Sequence, residues 1–291
     1  MTIKISEIFH SIQGEGLYVG HPSIFIRTFG CNFRCKGFGV PEGVAFPDEA
    51  DIIALDYKDH PEWTLKDLPL TSTGCDSYFS VFPAFKSLSP AMDIDDIVYL
   101  VEKERRKNQR AGPKNGPKNS HIVITGGEPL LGWQKQYPAL LDKLAEEGYR
   151  YITFETNGTQ ELNSEFEDWL LLNHISGPRL NITFSVSPKL PPSGERIEVA
   201  CNPAVISSYM KYGEVYLKFV VAEADDINHV QTFVSLYKGN GFYGDVYLMP
   251  AGGDPETYHK NAVDIAELAM FHGYIYSPRL QVDLFKNIQG T

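Results

Sequence analysis

Two cysteines that lie four positions apart are the first residues along the chain whose types and spacing suggest chemistry. Cys31 and Cys35 occur in GCNFRCKGFGV, directly after a β-branched segment. Paired thiolates can bind a metal, but a tetrahedral zinc site needs a second pair, and Cys75 and Cys201 are isolated. A four-cysteine zinc site is therefore disfavoured, and any one of these cysteines could also be a small buried hydrophobic residue.

Polar residues of other types gather where further β-branched segments end. These segments are HIVITGG, YITFETN and NITFSVS. The residues at and after their ends are Thr125, Gly126, Gly127, Glu128, Pro129, Glu155, Thr156, Asn157, Ser185, Ser187 and Lys189. Turns favour Gly, Ser, Asn and Pro in any protein, so part of the pattern needs no functional explanation. Glu128, Glu155 and Lys189 are not turn formers, and they indicate one composite site built from several strands.

The N-terminal stretch SIQGEG offers a third group of polar side chains. Gln13 and Glu15 flank a glycine ahead of the apolar segment SIFIRTF, which contains Arg27. A guanidinium in an apolar strand needs a carboxylate partner. That partner could be the carboxylate of a ligand, held in bidentate fashion, or the side chain of Glu15, and both alternatives remain open.

The elements that must position these residues alternate between strands and helices. The predicted strands are SIFIRTF, HIVITGG, YITFETN, NITFSVS, VYLKFVV, DVYLMP and one within YIYSPRLQVDLF. Helical periodicity follows in DIDDIVYLVEKERRKNQR, YPALLDKLAEEG, DDINHVQTFVSLYKG and ETYHKNAVDIAELAMFHG. This alternation predicts an α/β fold with parallel strands, a partial or modified (β/α) barrel whose site lies at the C-terminal ends of the strands.

Composition limits the class of protein. The chain has 291 residues, 43% of them hydrophobic, and we expect a single domain over residues 1–291. A formal net charge of −11 argues against nucleic-acid or membrane-surface binding and favours a small-molecule substrate. The sequence contains neither a signal-peptide pattern nor a membrane-length apolar run, so we expect a soluble, cytoplasmic protein.

Four motifs together resemble those of the radical S-adenosylmethionine enzymes: CNFRC, TGGEP, ETNGT and SVSPK. The stretch EIFHSIQGEGLYVGHPSIFIRTFGCNFRC is similar, more narrowly, to the 7-carboxy-7-deazaguanine synthase family. The resemblance covers most of the chain outside residues 36–74. It implies a lyase of queuosine-type deazapurine biosynthesis, which contracts the ring of 6-carboxy-5,6,7,8-tetrahydropterin to 7-carboxy-7-deazaguanine and releases ammonia.

The family's third cluster cysteine is displaced in this chain. Family members carry it at the position of Phe38, followed by Asp-Thr, whereas here TGCDSY supplies Cys75, Asp76 and Ser77 further along. Residues 36–74 interrupt the alternation of strands and helices, and we expect them to be irregular. The resemblance implies that they form a 39-residue insertion between the second and third ligands, as in bacteriophage-type members. Cluster ligation requires convergence in space and not a fixed spacing.

The resemblance implies three cofactors. Cys31, Cys35 and Cys75 would hold a four-iron, four-sulfur cluster whose open iron binds S-adenosylmethionine, the source of a 5′-deoxyadenosyl radical that removes the C6 hydrogen of the substrate. Ser77 would bind Mg²⁺ in place of the family's threonine. The residues implied to bind S-adenosylmethionine are Gly126, Gly127, Glu128, Glu155, Ser187 and Lys189. The residues implied to bind the substrate are Gln13 and Glu15 at the pterin edge and Arg27 at the carboxylate.

Further implications concern partners and the end of the chain. The resemblance implies an electron donor such as flavodoxin, a homodimer, and the host cytoplasm if the chain is phage-encoded. Family members often finish with Gln-Thr-His-Lys beside the substrate, whereas in VDLFKN the residues Asp283, Leu284 and Phe285 replace the first three and Lys286 remains. Cys201 has no family counterpart and is interpreted as structural.

Two other functions remain open on the sequence. One is a radical S-adenosylmethionine activase that generates a glycyl radical on a partner protein. The other is a non-catalytic metal-binding module whose insertion docks a partner. Release of ammonia and a deazapurine would support the synthase, a radical on a partner chain the activase, and zinc without iron or sulfide the module.

Substituting Cys75 and Cys201 separates the predicted cluster ligand from the structural cysteine. Cys75→Ala should lose most cluster iron and all S-adenosylmethionine cleavage, because the cluster would lose one of its three thiolates. Cys201→Ala should retain both properties. Iron analysis after anaerobic reconstitution and a cleavage assay measure the two effects, and normal cleavage by Cys75→Ala would overturn the assignment.

Overall fold

A nine-stranded, mostly parallel sheet runs through the described part of the chain. The computed structural model describes residues 1–40, 47–107, 120–177, 179–253, 255–288 and 290. The strands are β1 (Thr2–Ile12), β2 (Pro22–Thr28), β3 (Ala91–Asp93), β4 (His121–Gly126), β5 (Tyr151–Thr156), β6 (Asn181–Val186), β7 (Glu214–Val221), β8 (Val246–Pro250) and β9 (Ile275–Tyr276).

The strand pairing confirms the predicted α/β fold with a partial barrel. The strands β2-β4-β5-β6-β7-β8-β9 are parallel neighbours in that order, and β1 adds antiparallel pairings to β2 and to β3. Within the described ranges no pairing joins the edge strands β3 and β9, so the sheet is open. β1 and β3 are absent from the prediction, because β3 has only three residues and β1 mixes polar residues with its isoleucines.

Nine α-helices accompany the strands in the described part of the chain. They are α1 (Glu49–Asp59), α2 (Ile94–Lys107), α3 (Tyr137–Glu146), α4 (Ser164–Ile175), α5 (Ile197–Ala200), α6 (Pro203–Tyr209), α7 (Asp226–Gly239), α8 (Pro255–His272) and α9 (Leu280–Phe285). The four predicted helices are α2, α3, α7 and α8, although predicted residues 108–110 lie outside the described residues. None of these helices has the length and apolar composition needed to cross a membrane.

Side-chain alternation gives the central parallel strands two different faces. The apolar face belongs to the main hydrophobic core and includes Ile24, Ile26, Ile122, Ile124, Ile152, Phe154, Ile182, Phe184, Leu217 and Phe219. The opposite face carries Arg27, Thr125, Glu155, Ser185 and Lys218. Arg27 lies opposite Thr125 and Glu155 opposite Ser185 in the strand register, so the polar side chains form a row on one side of the sheet.

A second hydrophobic cluster holds the segment that follows the cysteine pair. It comprises Ala50, Ile53, Leu68, Tyr78, Phe79, Phe82 and Phe85. α1 begins after Asp48, whose carboxylate accepts a hydrogen bond from the N–H of Ala50 and caps the helix. The expectation that residues 36–74 are irregular is therefore wrong for α1, because its buried side chains have this cluster to pack against; residues 41–46 lie outside the described residues.

Arg34, which lies between the two paired cysteines, connects this second cluster to the rest of the fold. Its guanidinium pairs with Asp48 at 3.1 Å and with Asp51 at 2.8 Å. The same group lies 3.9 Å from the ring centroid of Phe82. Charge therefore holds the loop of the cysteine pair to the start of α1, and a cation–π contact holds it to Phe82 of the second cluster.

Truncating Phe85 tests whether the second cluster contributes to stability. Phe85 is fully buried, so Phe85→Ala should lower the free energy of unfolding by about 3–5 kcal/mol through lost burial and a residual cavity. Phe271→Ala is the control, because that ring is 84% exposed and its loss should change the free energy by less than about 0.5 kcal/mol. Denaturant unfolding measures both, and equal effects would contradict the prediction.

Candidate active site

A cavity of about 390 Å³ lies at the C-terminal ends of the parallel strands. Twelve of the thirteen predicted site residues line it: Gln13, Glu15, Arg27, Cys31, Cys35, Cys75, Ser77, Gly126, Gly127, Glu155, Ser187 and Lys189. Glu128 is not among the lining residues and is fully buried. The cavity thus brings together groups that are far apart in sequence, from Gln13 to Lys189.

Three free thiols form part of the cavity wall. Burial raises the pKa of Cys31 to about 11 and that of Cys35 to about 12. The pKa of Cys75 lies well above its ordinary value, mainly because the thiol is buried and also because the carboxylate of Asp76 is close. No three His, Cys, Asp or Glu side chains within the described ranges are arranged to hold a single metal ion. These thiols therefore become thiolates only beside a compensating positive charge.

Two glycines bring the loop after β4 against the cysteine loop after β2. A Cβ on Gly127 would lie 2.5 Å from the carbonyl oxygen of Gly30 and 2.7 Å from the Cβ of Cys31. Gly126 has φ of +150°, and a Cβ there would lie 2.3 Å from the carbonyl oxygen of Thr28. Only glycine allows this approach, which explains the two glycines of TGGEP.

Contacts within the insertion return Cys75 to the same wall. The N–H of Gly74 donates to the carbonyl of Phe38 at 2.7 Å. The carboxylate of Glu49, at the start of α1, accepts hydrogen bonds from Ser72 and Thr73 at 2.5 to 2.8 Å. The insertion therefore begins and ends at the cavity, and α1 helps to hold its last residues.

Glu128 supports the cavity from behind. Its carboxylate accepts hydrogen bonds from the N–H of Leu130 at 3.0 Å, the hydroxyl of Thr156 at 2.8 Å and the N–H of Asn157 at 2.7 Å. Burial raises its pKa to about 7 even though these bonds and Lys189 lower it. The side chain joins the loops after β4 and β5, which differs from the expected direct contact with a ligand.

A buried group of charges surrounds Glu15. Its carboxylate pairs with Lys218 at 2.5 Å and Arg279 at 3.2 Å and accepts a hydrogen bond from Gln281 at 2.6 Å. Burial alone would raise the pKa of Glu15, but the two cations outweigh it and lower the pKa to about 2. Gln13 donates to Glu155 at 3.1 Å on the same side of the cavity.

Arg27 has a different partner from the one considered on the sequence. Its Nε donates to Glu7 at 2.7 Å, and its Nη1 donates to Ser77 at 3.1 Å. The internal pair with Glu15 is therefore wrong, because Lys218 and Arg279 occupy that carboxylate.

The cavity lining also contains polar residues that the predicted site lacks, among them Glu7, Asp76, Lys218, Arg279 and Gln281. The sequence does contain a signal for Lys218, because Lys218 is a charged residue in the apolar strand VYLKFVV. Arg27 is recognisable in SIFIRTF for the same reason. Near the C-terminal end, Gln281 lines the cavity, and Asp283 pairs with His259 at 2.8 Å.

Comparison with curated proteins gives the family. The chain is 30% identical to the 7-carboxy-7-deazaguanine synthase of Halobacterium salinarum over 302 aligned positions, which cover 100% of the chain and 93% of that protein. The chain belongs to the 7-carboxy-7-deazaguanine synthase family. It is also 27% identical to the synthase of Pyrobaculum aerophilum, with 99% and 97% coverage, and 28% identical to that of Rhodopirellula baltica, with 100% and 89% coverage. No family model matches the chain.

A solved structure agrees with the fold. The crystal structure of QueE from Escherichia coli superposes with a TM-score of 0.53 at 20% identity and covers 95% of this chain and 93% of that one. Family membership confirms the predicted enzyme class, a radical S-adenosylmethionine lyase of deazaguanine biosynthesis that acts on a small molecule.

Neutralising Glu15 tests the buried charge group through the pH dependence of stability. A carboxylate whose pKa falls from 4.5 to about 2 on folding stabilises the protein above pH 4.5, and this stabilisation is lost as the pH drops towards 2. Glu15→Gln should therefore lower the free energy of unfolding at pH 7 by about 3–5 kcal/mol, because it removes the carboxylate that pairs with the buried Lys218 and leaves Arg279 with Asp76 as its carboxylate partner. The difference from the unmodified protein should narrow below pH 4.5.

The exposed Glu198 provides the control; among the described residues its ion-pair partner is Arg196, at 3.3 Å. Glu198→Gln should change the free energy by less than about 0.5 kcal/mol at any pH. Denaturant unfolding at several pH values measures both variants, and a constant effect of Glu15→Gln from pH 7 to pH 2 would contradict the prediction.

Proposed function

We propose that the chain catalyses the 7-carboxy-7-deazaguanine synthase reaction, the conversion of 6-carboxy-5,6,7,8-tetrahydropterin to 7-carboxy-7-deazaguanine with release of ammonia. The observation that carries the proposal is one cavity that is lined both by three free thiols and by the charged side chains of Glu15 and Arg27. We further propose that residues 1–291 form one domain with an insertion at 36–74.

A four-iron, four-sulfur cluster fits the thiols by number and type. Cys31, Cys35 and Cys75 are free and line one cavity, and three thiolates leave one iron open for a further ligand. The positive charge that these buried thiolates need would come from the irons.

S-adenosylmethionine fits the loops beside the thiols. Gly126 and Gly127 offer backbone groups, and Glu155, Ser187 and Lys189 offer side chains, along the same wall. When bound, the cluster and S-adenosylmethionine supply a 5′-deoxyadenosyl radical. Because Glu128 does not line the cavity, we assign it a positioning role, in which it fixes the loop that begins with the two glycines.

The substrate proposal rests on matched charges. Glu15 remains ionised at neutral pH, since its pKa is about 2, and a carboxylate accepts hydrogen bonds from the N–H groups of a pterin edge. Gln13 lies beside it. Arg27 uses Nε for Glu7 and one N–H of Nη1 for Ser77, and the remaining N–H groups of its guanidinium are suited to a ligand carboxylate. Ser77, whose hydroxyl contacts both Arg27 and Asp76, would contribute an oxygen to Mg²⁺ near that carboxylate.

We also propose the partners of the enzyme. Reduction of the cluster requires an electron donor such as flavodoxin, and we propose a homodimer in the cytoplasm, that of the host if the chain is phage-encoded. The net charge of −11 supports the absence of nucleic-acid and membrane partners.

Anaerobic reconstitution followed by an assay with 6-carboxy-5,6,7,8-tetrahydropterin tests the proposed function. We expect iron and sulfide in the stoichiometry of one cluster per chain, and formation of 7-carboxy-7-deazaguanine with an equivalent of ammonia. Zinc without iron or sulfide would support a non-catalytic metal-binding module instead. A radical on a partner chain, without turnover of the pterin, would support the activase.

A further inference from the structure

The carboxylate of Glu195 binds the backbone of the loop that carries the paired cysteines. Its Oε1 accepts a hydrogen bond from the N–H of Arg34 at 2.9 Å and another from the N–H of Cys35 at 2.8 Å. Hydrogen bonds from backbone N–H groups to a carboxylate are charge-assisted and stronger than neutral ones. Glu195 lies beyond β6, so the contact joins two loops that are 160 residues apart.

The peptide that Glu195 holds is the strained one in this loop. Cys35 has φ of +52°, a left-handed conformation that costs energy for any residue with a Cβ. Such a conformation persists only where the surroundings determine it from several directions. The hydrogen bond to the N–H of Cys35 acts directly on that residue.

The two loops also approach each other closely at Gly37. The N–H of Gly37 donates to the carbonyl of Ser193 at 2.9 Å. A Cβ on Gly37 would lie 2.6 Å from both the nitrogen of Gly194 and the carbonyl oxygen of Pro192. The N–H of Glu195 in turn donates to the hydroxyl of Ser193 at 3.3 Å, which orients the backbone of Glu195.

We propose that Glu195 is a positioning residue for the cluster. It holds Cys35 in the left-handed conformation and so keeps that thiol on the cavity wall beside Cys31. Other contacts position Cys75, so Glu195 acts only on the loop that carries Cys31 and Cys35. This role rests on the proposed function, because it treats Cys35 as a cluster ligand. The contact between Glu195 and Cys35 can nevertheless be tested without a cluster.

Three variants separate positioning from a general loss of stability. Glu195→Gln keeps an amide oxygen that can accept both N–H groups, whereas Glu195→Ala removes the acceptor. Glu198→Gln is the matched control, because Glu198 is an exposed carboxylate three positions further on that pairs with Arg196. The first measurement uses reduced, metal-free protein and follows alkylation of each cysteine by peptide mass spectrometry.

Cys35 should be alkylated at least about tenfold faster in Glu195→Ala than in the unmodified protein, the factor expected for losing one charge-assisted hydrogen bond. Its rate should rise far less in Glu195→Gln than in Glu195→Ala, since both variants lose the negative charge that disfavours the thiolate but only Glu195→Ala loses the acceptor. The rate in Glu198→Gln should match that of the unmodified protein. The rate at Cys201, which follows α5, should be equal in all four proteins and so reports that this segment remains folded. Unchanged protection of Cys35 in Glu195→Ala, or equal loss of protection in Glu195→Gln, would overturn the proposal.

The second measurement uses the reconstituted enzyme. Glu195→Ala should bind less iron per chain and release it to a chelator faster, and Glu195→Gln should restore both properties. If the unmodified protein binds no cluster, the proposed function fails, while the alkylation result still decides the role of Glu195. If the unmodified protein binds a cluster and Glu195→Ala holds it equally well, the positioning role fails and the proposed function stands.

Discussion

A buried guanidinium connects the two ends of the cavity. Arg279 pairs with Glu15 at 3.2 Å and with Asp76 at 3.0 Å, and it also donates to the carbonyl of Gly252. A cation in this position is tolerated only when carboxylates and carbonyls surround it. Glu15 is a proposed substrate-binding residue, and Asp76 directly follows Cys75. Because both carboxylates pair with the same buried cation, that pairing holds the two residues in place. The rest of the site is arranged around that requirement.

The displaced third cysteine makes this pairing more important than it would be in an uninterrupted motif. In a short motif the backbone itself limits how far the third thiol can lie from the second. Here 39 residues intervene, so tertiary contacts must supply the limit. Packing of α1 on the second hydrophobic cluster, the bonds of Glu49 to Ser72 and Thr73, and the pair of Arg279 with Asp76 do so together.

The sequence predicts the elements with strong periodicity and the residues with an unusual chemical context. The parallel strands and four helices are recognisable, and Arg27 stands out because a charge interrupts an apolar strand; Lys218 carries the same signal. α1 escapes prediction because its apolar residues pack on Tyr78 and Phe85, which follow the insertion, and not on the sheet. A motif match also cannot show whether a side chain faces the cavity. Glu128 belongs to TGGEP, but it does not line the cavity.

Pair interactions across the fold are the part that the sequence does not reveal. Nothing near Glu195 indicates that its carboxylate reaches the backbone of Cys35, and nothing near Glu7 indicates that it takes the Nε of Arg27. Each depends on which loops the sheet order brings together. That order follows from strand pairing over the whole molecule and not from any local pattern.

The location of Glu15 has a consequence for the order of folding. Its three partners lie 203, 264 and 266 residues further along the chain. A chain made from its N-terminus therefore exposes this carboxylate long before Lys218, Arg279 and Gln281 have been synthesised. Contacts of such high sequence separation form late and slowly. Asp76, beside Cys75, likewise meets Arg279 only once the residue that precedes α9 has reached the cavity.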